Sequence, residues 1–199
     1  MKLTGPRLLS LIALAVGAMW IALAVTTSPA EAASRATIRW TGRTSLVLFA
    51  LVYVARPLVG LWPSPAARAL LARRKWLGLG FATSHGLHLI GIVWLASLDL
   101  DAFMRARGVD SLVSSVTFVA IGVMTVTSIE AVKRAMAART WRRLHWTGLQ
   151  LAWLVFTASY APVATADPLY ALATALLAGV AAVRLAAWLR RRRRRGRAA

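Results

Sequence analysis

No cysteine occurs among the 199 residues of this chain. Disulfides, iron–sulfur clusters and thiolate metal sites are thereby excluded. Acidic residues are almost as scarce, with six Asp and Glu against 25 Lys and Arg. A GxGxxG following a strand pattern is missing, and so is a P-loop; Gly78-Leu79-Gly80 is too short a glycine pattern to stand for either. The chain therefore lacks a nicotinamide or flavin domain of its own.

What is present is apolar. Hydrophobic residues make up 59% of the chain, and the mean hydropathy is +0.63. Such a composition does not describe a soluble domain. No stretch alternates polar with apolar as a barrel strand does, whereas several are apolar for about twenty residues. The expected class is an all-α integral membrane protein. A formal charge of +19 could point to nucleic acid, but the cations cluster at the ends of apolar runs. There they set topology and meet anionic lipid, so membrane lipid is the expected partner and nucleic acid is not.

Six spans are expected. Leu8 to Thr27 is the first, after Lys2 and Arg7, and Ser28-Pro29 ends it. Ala30-Glu31-Ala32 resembles a signal-peptide cleavage site, but the run exceeds a usual signal core, which favours a retained helix. Thr41 to Val59 is the second, with Arg56-Pro57 near its end; the arginine can snorkel and the proline is expected to stop the helix. Trp62, Pro63 and Pro65 mark a loop. The third runs from Trp76 to about Leu98, after Arg73-Arg74-Lys75, and a loop with Asp99, Asp101, Arg105, Arg107 and Asp110 follows. Leu112 to Ile129 is the fourth. The fifth begins near His145, after Arg142-Arg143, and reaches Tyr160-Ala161-Pro162. Asp167-Pro168 reads as an N-cap with proline at the first helical position. The sixth, Leu169 to Leu189, ends in Arg190 to Arg195.

The N-terminus, segments 60–75 and 130–144, and the tail 190–199 are strongly cationic. Segments 28–40, 99–111 and 162–168 hold fewer cations and most of the acids. This alternation predicts one transmembrane domain over 1–199, a six-helix bundle with both termini cytoplasmic. Spans three and five then run parallel.

All three histidines bear on spans three and five. His85 and His88 lie within the third, about 60° apart on one helix face, and His145 opens the fifth. Imidazole within hydrocarbon marks a functional site by default, and bundles build cofactor sites from facing helices. Histidine is an axial haem ligand. Two plainer readings stand beside this one. A membrane histidine can simply hydrogen-bond across helices, and His145 beside Trp146 can be interfacial. A bare transition-metal site at His85 and His88 lacks a carboxylate or thiol within the spans. Trp76, Trp141 and Trp146 read as interface-belt residues.

Arg74-Lys75-Trp76-Leu77-Gly78-Leu79 with Leu87-His88 resembles the third helix of ferric-reductase-like transmembrane proteins. Within that family it is most similar to the haem-binding membrane subunit of the periplasmic methionine sulfoxide reductase system. Trp141-Arg142-Arg143-Leu144-His145 resembles the start of the family's helix five. Thr41-Gly42, followed by an apolar run to Arg56-Pro57, is similar to its helix two. The resemblance covers about residues 40–165. It implies a six-helix protein of a bacterial-type inner membrane that binds haem b and transfers electrons. His88, His145 and His85 are the implied iron ligands. Arg56, Arg74, Arg142 and Arg143 could hold its propionates, since guanidinium forks suit carboxylates; as topology signals they need no such role.

One departure stands out. The family carries a second helix-five histidine about thirteen residues after the first, and here Thr157-Ala158-Ser159-Tyr160 occupies that place. With the cationic edges of spans three and five level, His88 and His145 differ in depth by eleven residues, about 16 Å. For His85 the gap is eight residues, about 12 Å. Three arrangements follow. Haem is held by His85 or His88 with a weak or absent second ligand, Tyr160 being a candidate; or His145 holds a second haem near the cytoplasm; or haem has been lost. The expected function is electron transfer from quinol or a cytoplasmic reductase to an extracytoplasmic redox partner, with no catalytic residue in the chain itself. The alternative is a haem-free transporter component or scaffold.

Overall fold

The computed structural model of the chain describes residues 5–107 and 110–196. Lys2, Arg197 and residues 108–109 of the charged segment 99–111 lie outside them. The described residues are helical throughout, apart from short connections. In chain order the helices are α1 (Gly5–Thr26), α2 (Ala30–Leu61), α3 (Pro65–Leu98), α4 (Leu100–Arg107), α5 (Asp110–Val126), α6 (Glu130–Ala135), α7 (Ala138–Tyr160) and α8 (Pro168–Gly196), with a 3-10 turn at Ala161–Val163. Four of these, α1, α2, α3 and α8, are long and apolar enough to cross a membrane. By the same measure α5 and α7 fall short. The apolar part of α5 is Ser114–Val126, and the 23 residues of α7 begin with Arg139, Arg142 and Arg143.

Several helices run past the boundaries expected from hydropathy. α2 contains 32 residues and α3 contains 34, about 50 Å each at 1.5 Å per residue. A hydrocarbon core is only about 30 Å thick. Hydropathy locates the part that can sit in lipid, whereas backbone hydrogen bonding continues into water. Segment 28–40 is therefore mostly helix, and most of 60–75 is the first part of α3. The Ser64 side chain caps α3, accepting from the Ala67 N–H at 3.2 Å, with Pro65 in the first turn. At the start of α8, Asp167 accepts from the Leu169 N–H at 2.7 Å, as the Asp-Pro pair predicts. Helices also occupy both segments read as charged loops, with α4 after Asp99, and α6 and the start of α7 after Ile129.

Pro57 does not end α2, contrary to expectation; the helix passes through it to Leu61. Proline removes the N–H that would have bonded the carbonyl four residues earlier, which is that of Tyr53. Arg184 of α8 supplies a replacement, its guanidinium 3.5 Å from the Tyr53 carbonyl and 4.4 Å from the Tyr53 ring. Arg190 donates to the carbonyls of Leu61 and Gly60 at 2.7 and 3.3 Å. A cation there complements the negative end of the α2 dipole. Arginines that read as topology signals thus also tie α8 to α2.

The tightest seam is between α2 and α3. Ser34, Thr37, Thr41 and Ser45 on α2 and Ser84 on α3 are fully buried. Their hydroxyls bond helix carbonyls or one another: Ser45 donates to Ser84 at 3.0 Å, and Ser84 to the Thr41 carbonyl at 3.1 Å. Small residues let backbones approach, and in lipid close packing replaces the hydrophobic drive of water. At Gly91 a Cβ would stand 3.0 Å from both Thr37 Oγ1 and Ile38 Cγ1. α1 and α8 pack on this pair, and α5 packs on α7. Leu14, Val25, Leu172 and Val119 stay exposed, an apolar exterior of the kind lipid covers.

Candidate cofactor site

An aromatic layer crosses the middle of the bundle. Phe49 of α2 lies 5.8 Å from Phe81 of α3 and 5.3 Å from Phe156 of α7, and Phe81 is 6.2 Å from Phe156. Such spacing is that of packed ring pairs. Two cavities flank the layer. The larger, about 700 Å³, is lined from α2 by Arg35, Arg39, Gly42 and Arg43, and from α3 by His85 and His88. Phe118 of α5, Phe156 and Tyr160 of α7, and Tyr170 of α8 complete its inner wall. The smaller, about 270 Å³, includes Arg74, Lys75, Lys133, Trp141 and His145 in its lining.

The histidines are therefore divided. His85 and His88 share the large cavity, and His145 lines the small one beyond the aromatic layer. The cause lies in the sequence: His145 stands two turns into α7, whereas His85 and His88 stand more than five turns into α3, and these helices enter the bundle from the same end. Of the four arginines expected near a cofactor, Arg56, Arg142 and Arg143 are exposed and line neither cavity. Arg74 lines the small one and donates through Nε to the Val52 carbonyl at 3.0 Å.

His88 is oriented by its surroundings. Its Nδ1 lies 2.9 Å from the Ile38 carbonyl and 3.3 Å from Thr41 Oγ1. A carbonyl only accepts, so Nδ1 carries a proton. The Thr41 hydroxyl proton is directed to the Thr37 carbonyl, which leaves its oxygen as a second acceptor. A ring N–H held by a backbone carbonyl is how proteins set the tautomer of a metal-ligating histidine.

His85 is held by rings. It lies 4.6 Å from Phe118, 5.4 Å from Phe81 and 5.2 Å from His88, stacked on the last at 20°. The side chain is 8% exposed, and its Nδ1 is buried without a hydrogen-bond partner. A buried orphan of this kind costs about 1–3 kcal/mol and calls for a ligand or water. Stacked on one helix, these two imidazoles cannot sit on opposite faces of one macrocycle, so at most one can ligate a given iron. Among the described residues no group of three His, Asp or Glu side chains is placed to hold a bare metal ion.

His145 is engaged differently. Its Nε2 is 3.1 Å from Thr127 Oγ1, and its ring stacks on Trp141 at 4.1 Å. Trp141 donates its own indole N–H to the Thr127 carbonyl at 2.9 Å, so it is anchored within the bundle, not merely at its edge. The cavity beside His145, about 270 Å³, is also much smaller than the one beside His85 and His88, about 700 Å³.

Sequence reasoning overlooked Arg35, Arg39 and Arg43. They recur every four residues, so one helix face carries all three. That spacing was legible, but only to a reading that started α2 at Ala30. The Arg43 guanidinium lies 5.0 Å from the Trp40 ring and 5.9 Å from the Tyr170 ring, and its Nε is buried without a hydrogen-bond partner.

Gly42 stands where His88 and Tyr160 converge. A Cβ there would meet His88 Cε1 at 3.4 Å, Nδ1 at 3.6 Å and the Tyr160 hydroxyl at 3.7 Å. These are ordinary contacts, so Gly42→Ala is expected to fold normally. Gly42→Leu would place three further carbons against this wall of the cavity. If a cofactor occupies this cavity, Gly42→Leu is expected to retain its helical circular dichroism and to lose loading by about tenfold or more, the size of effect produced by disturbing the surroundings of a metal ligand. Loading equal to the parent protein would show that the cofactor does not approach this wall.

No family model matches this chain, and no curated protein or solved structure matches it either.

Proposed function

We propose that this chain is a membrane electron-transfer protein that holds one haem b in the large cavity, with His88 as the iron ligand. The observation carrying this reading is the His88 geometry: an imidazole on the wall of a 700 Å³ cavity, its tautomer set by the Ile38 carbonyl. Haem b supplies one-electron redox chemistry when bound. The chain's own residues supply the setting. Ile38 and Thr41 orient His88; Phe81, Phe118 and Phe156 give the site an apolar lining; and His85 brings an unpartnered nitrogen. Arg39 and Arg43 offer cationic partners for carboxylates, Arg43 deepest, while Arg35 is already paired with Glu31 at 2.9 Å. Tyr160 adds a hydroxyl close to His88.

In this reading α5 and α7 complete a bundle of six spans with both termini cytoplasmic, as a relative of ferric-reductase-like membrane proteins. The large cavity then opens on the extracytoplasmic side, where an acceptor protein or small oxidant would take the electron. Quinol, or a separate cytoplasmic reductase, would deliver it. The placement of His145 in the other cavity supports one haem over two.

The test is a reduced-minus-oxidised absorption spectrum of protein expressed with haem precursor and purified in detergent, with haem quantified per chain. The expected result is a sharp reduced α-band at about one haem per chain. Folded protein with no Soret band would discard this reading in favour of a haem-free scaffold.

A further inference from the structure

The small cavity is divided by polarity. Arg74, Lys75 and Lys133 bring three cations to it, while Ile121, Met124 and Leu149 form an apolar wall. Lys75 Nζ and Lys133 Nζ each stand 3.7 Å from Glu130, one at each carboxylate oxygen. A single carboxylate thus serves two ammonium groups, both at distances beyond a hydrogen bond. Among the described residues no second carboxylate pairs with any of the three cations. The cluster carries an excess of two positive charges, and the lysine side chains are about half exposed.

The neighbouring polar groups are already committed. Trp141 donates to the Thr127 carbonyl, and His145 Nε2 meets the Thr127 hydroxyl. Arg74 spends its Nε on the Val52 carbonyl. What the cavity offers a ligand is therefore the two ammonium groups and the terminal N–H groups of the Arg74 guanidinium, beside hydrocarbon. Basic pockets between helices at a membrane surface suit phosphate headgroups. A volume of 270 Å³ holds a phosphate and the first carbons of a chain; the rest of a lipid would lie along the apolar exterior of α3 and α5.

We propose that this cavity binds an anionic phospholipid, its phosphate between Lys75 and Lys133 and the start of an acyl chain against Ile121 and Met124. The site owes nothing to haem, and it sits at the end of the bundle where the cationic segments gather. A bound lipid would bridge α3 to α6, which are joined here by the ion pair of Lys75 with Glu130.

The experiment uses the full chain, delipidated in detergent. Native mass spectrometry and thermal denaturation are followed while phosphatidylglycerol, phosphatidylcholine or inorganic phosphate is added. Phosphatidylglycerol is expected to form a one-to-one adduct and to raise the melting temperature, with phosphatidylcholine doing neither. Lys75→Gln with Lys133→Gln is expected to weaken phosphatidylglycerol binding by about fivefold per lysine. Lys75→Arg with Lys133→Arg should retain it, and Arg192→Gln with Arg193→Gln, in the tail of α8, should leave it unchanged. Equal binding of the two lipids overturns the proposal, as does a glutamine variant that binds like the parent. Stabilisation by inorganic phosphate equal to that by phosphatidylglycerol also overturns it, leaving a site for small anions. Soret absorbance recorded on the same samples reports separately on the haem reading, so either can fail without the other.

Discussion

With haem bound as proposed, replacing His88 by alanine is expected to abolish the haem absorption of the purified protein, while replacing His145 by alanine leaves it at the parent level. The sequence already places the two residues at different depths, and the aromatic layer of Phe49, Phe81 and Phe156 separates them. His145 belongs to a cavity of about 270 Å³ and is tied to Thr127 and Trp141. His88 belongs to the cavity of about 700 Å³, with its proton held by Ile38. Loss of the ligand itself should exceed the 10–100-fold typical of outer-shell changes. Thr41→Val tests the orienting role. It is nearly isosteric and removes the weaker 3.3 Å acceptor together with the hydroxyl's own bonds to the Thr37 and Ile38 carbonyls, so about a tenfold loss in haem affinity is expected with the band shape retained. His85→Ala separates the two imidazoles of α3: as a bystander it should shift the spectrum, and as the true ligand it would erase it. A Soret band that survives His88→Ala and disappears in His145→Ala would reverse the assignment.

Gly91→Leu should produce the largest loss of stability. The α2–α3 seam is lined by Ser34, Thr37, Thr41, Ser45 and Ser84, all fully buried, and of the glycines in α2 and α3 Gly91 leaves the least room toward the facing helix of the pair. A Cβ there already needs Thr37 Oγ1 and Ile38 Cγ1 to move from 3.0 Å, and the Ile38 backbone nitrogen lies at 3.5 Å. Side chains can yield a few tenths of an ångström; a helix backbone yields less. Alanine should therefore be partly tolerated. Leucine should force α2 and α3 apart, at about 1–3 kcal/mol or more for overpacking. The measurement is thermal denaturation in detergent, scored by retained helical signal and by monodispersity. Ile38 connects this prediction to the first, because its carbonyl holds the His88 proton. Separation of the helices should weaken haem loading together with stability. A melting temperature unchanged by leucine would mean that the two helices are not in such close contact.

Hydropathy alone indicated an all-helical chain with long apolar runs, because burying twenty apolar residues in lipid is a local property of each segment. The absence of nucleotide-binding patterns was equally local, and so was the presence of His85 and His88 on one helix face. Helix ends were less legible. Charged turns at Arg35, Arg39 and Arg68 looked like loops, although a helix extends into water wherever its own hydrogen bonds hold. Pro57 looked like a terminus because the replacement partner for the Tyr53 carbonyl, Arg184, lies 131 positions away. Residue counts along α3 and α7 already set His145 apart in depth from His85 and His88; the tertiary structure added the aromatic layer between them and the separate cavities that they line. The proton of His88 was decided in the same way, by a carbonyl fifty positions distant. So was the choice of cations at the large cavity, which packing assigns to Arg35, Arg39 and Arg43, not to the arginines nearest the histidines in sequence. Apolar runs along the chain indicated long helices, four of them long and apolar enough to cross a membrane; which side chains share a cavity is a property of the contacts between helices, and no single segment contains it.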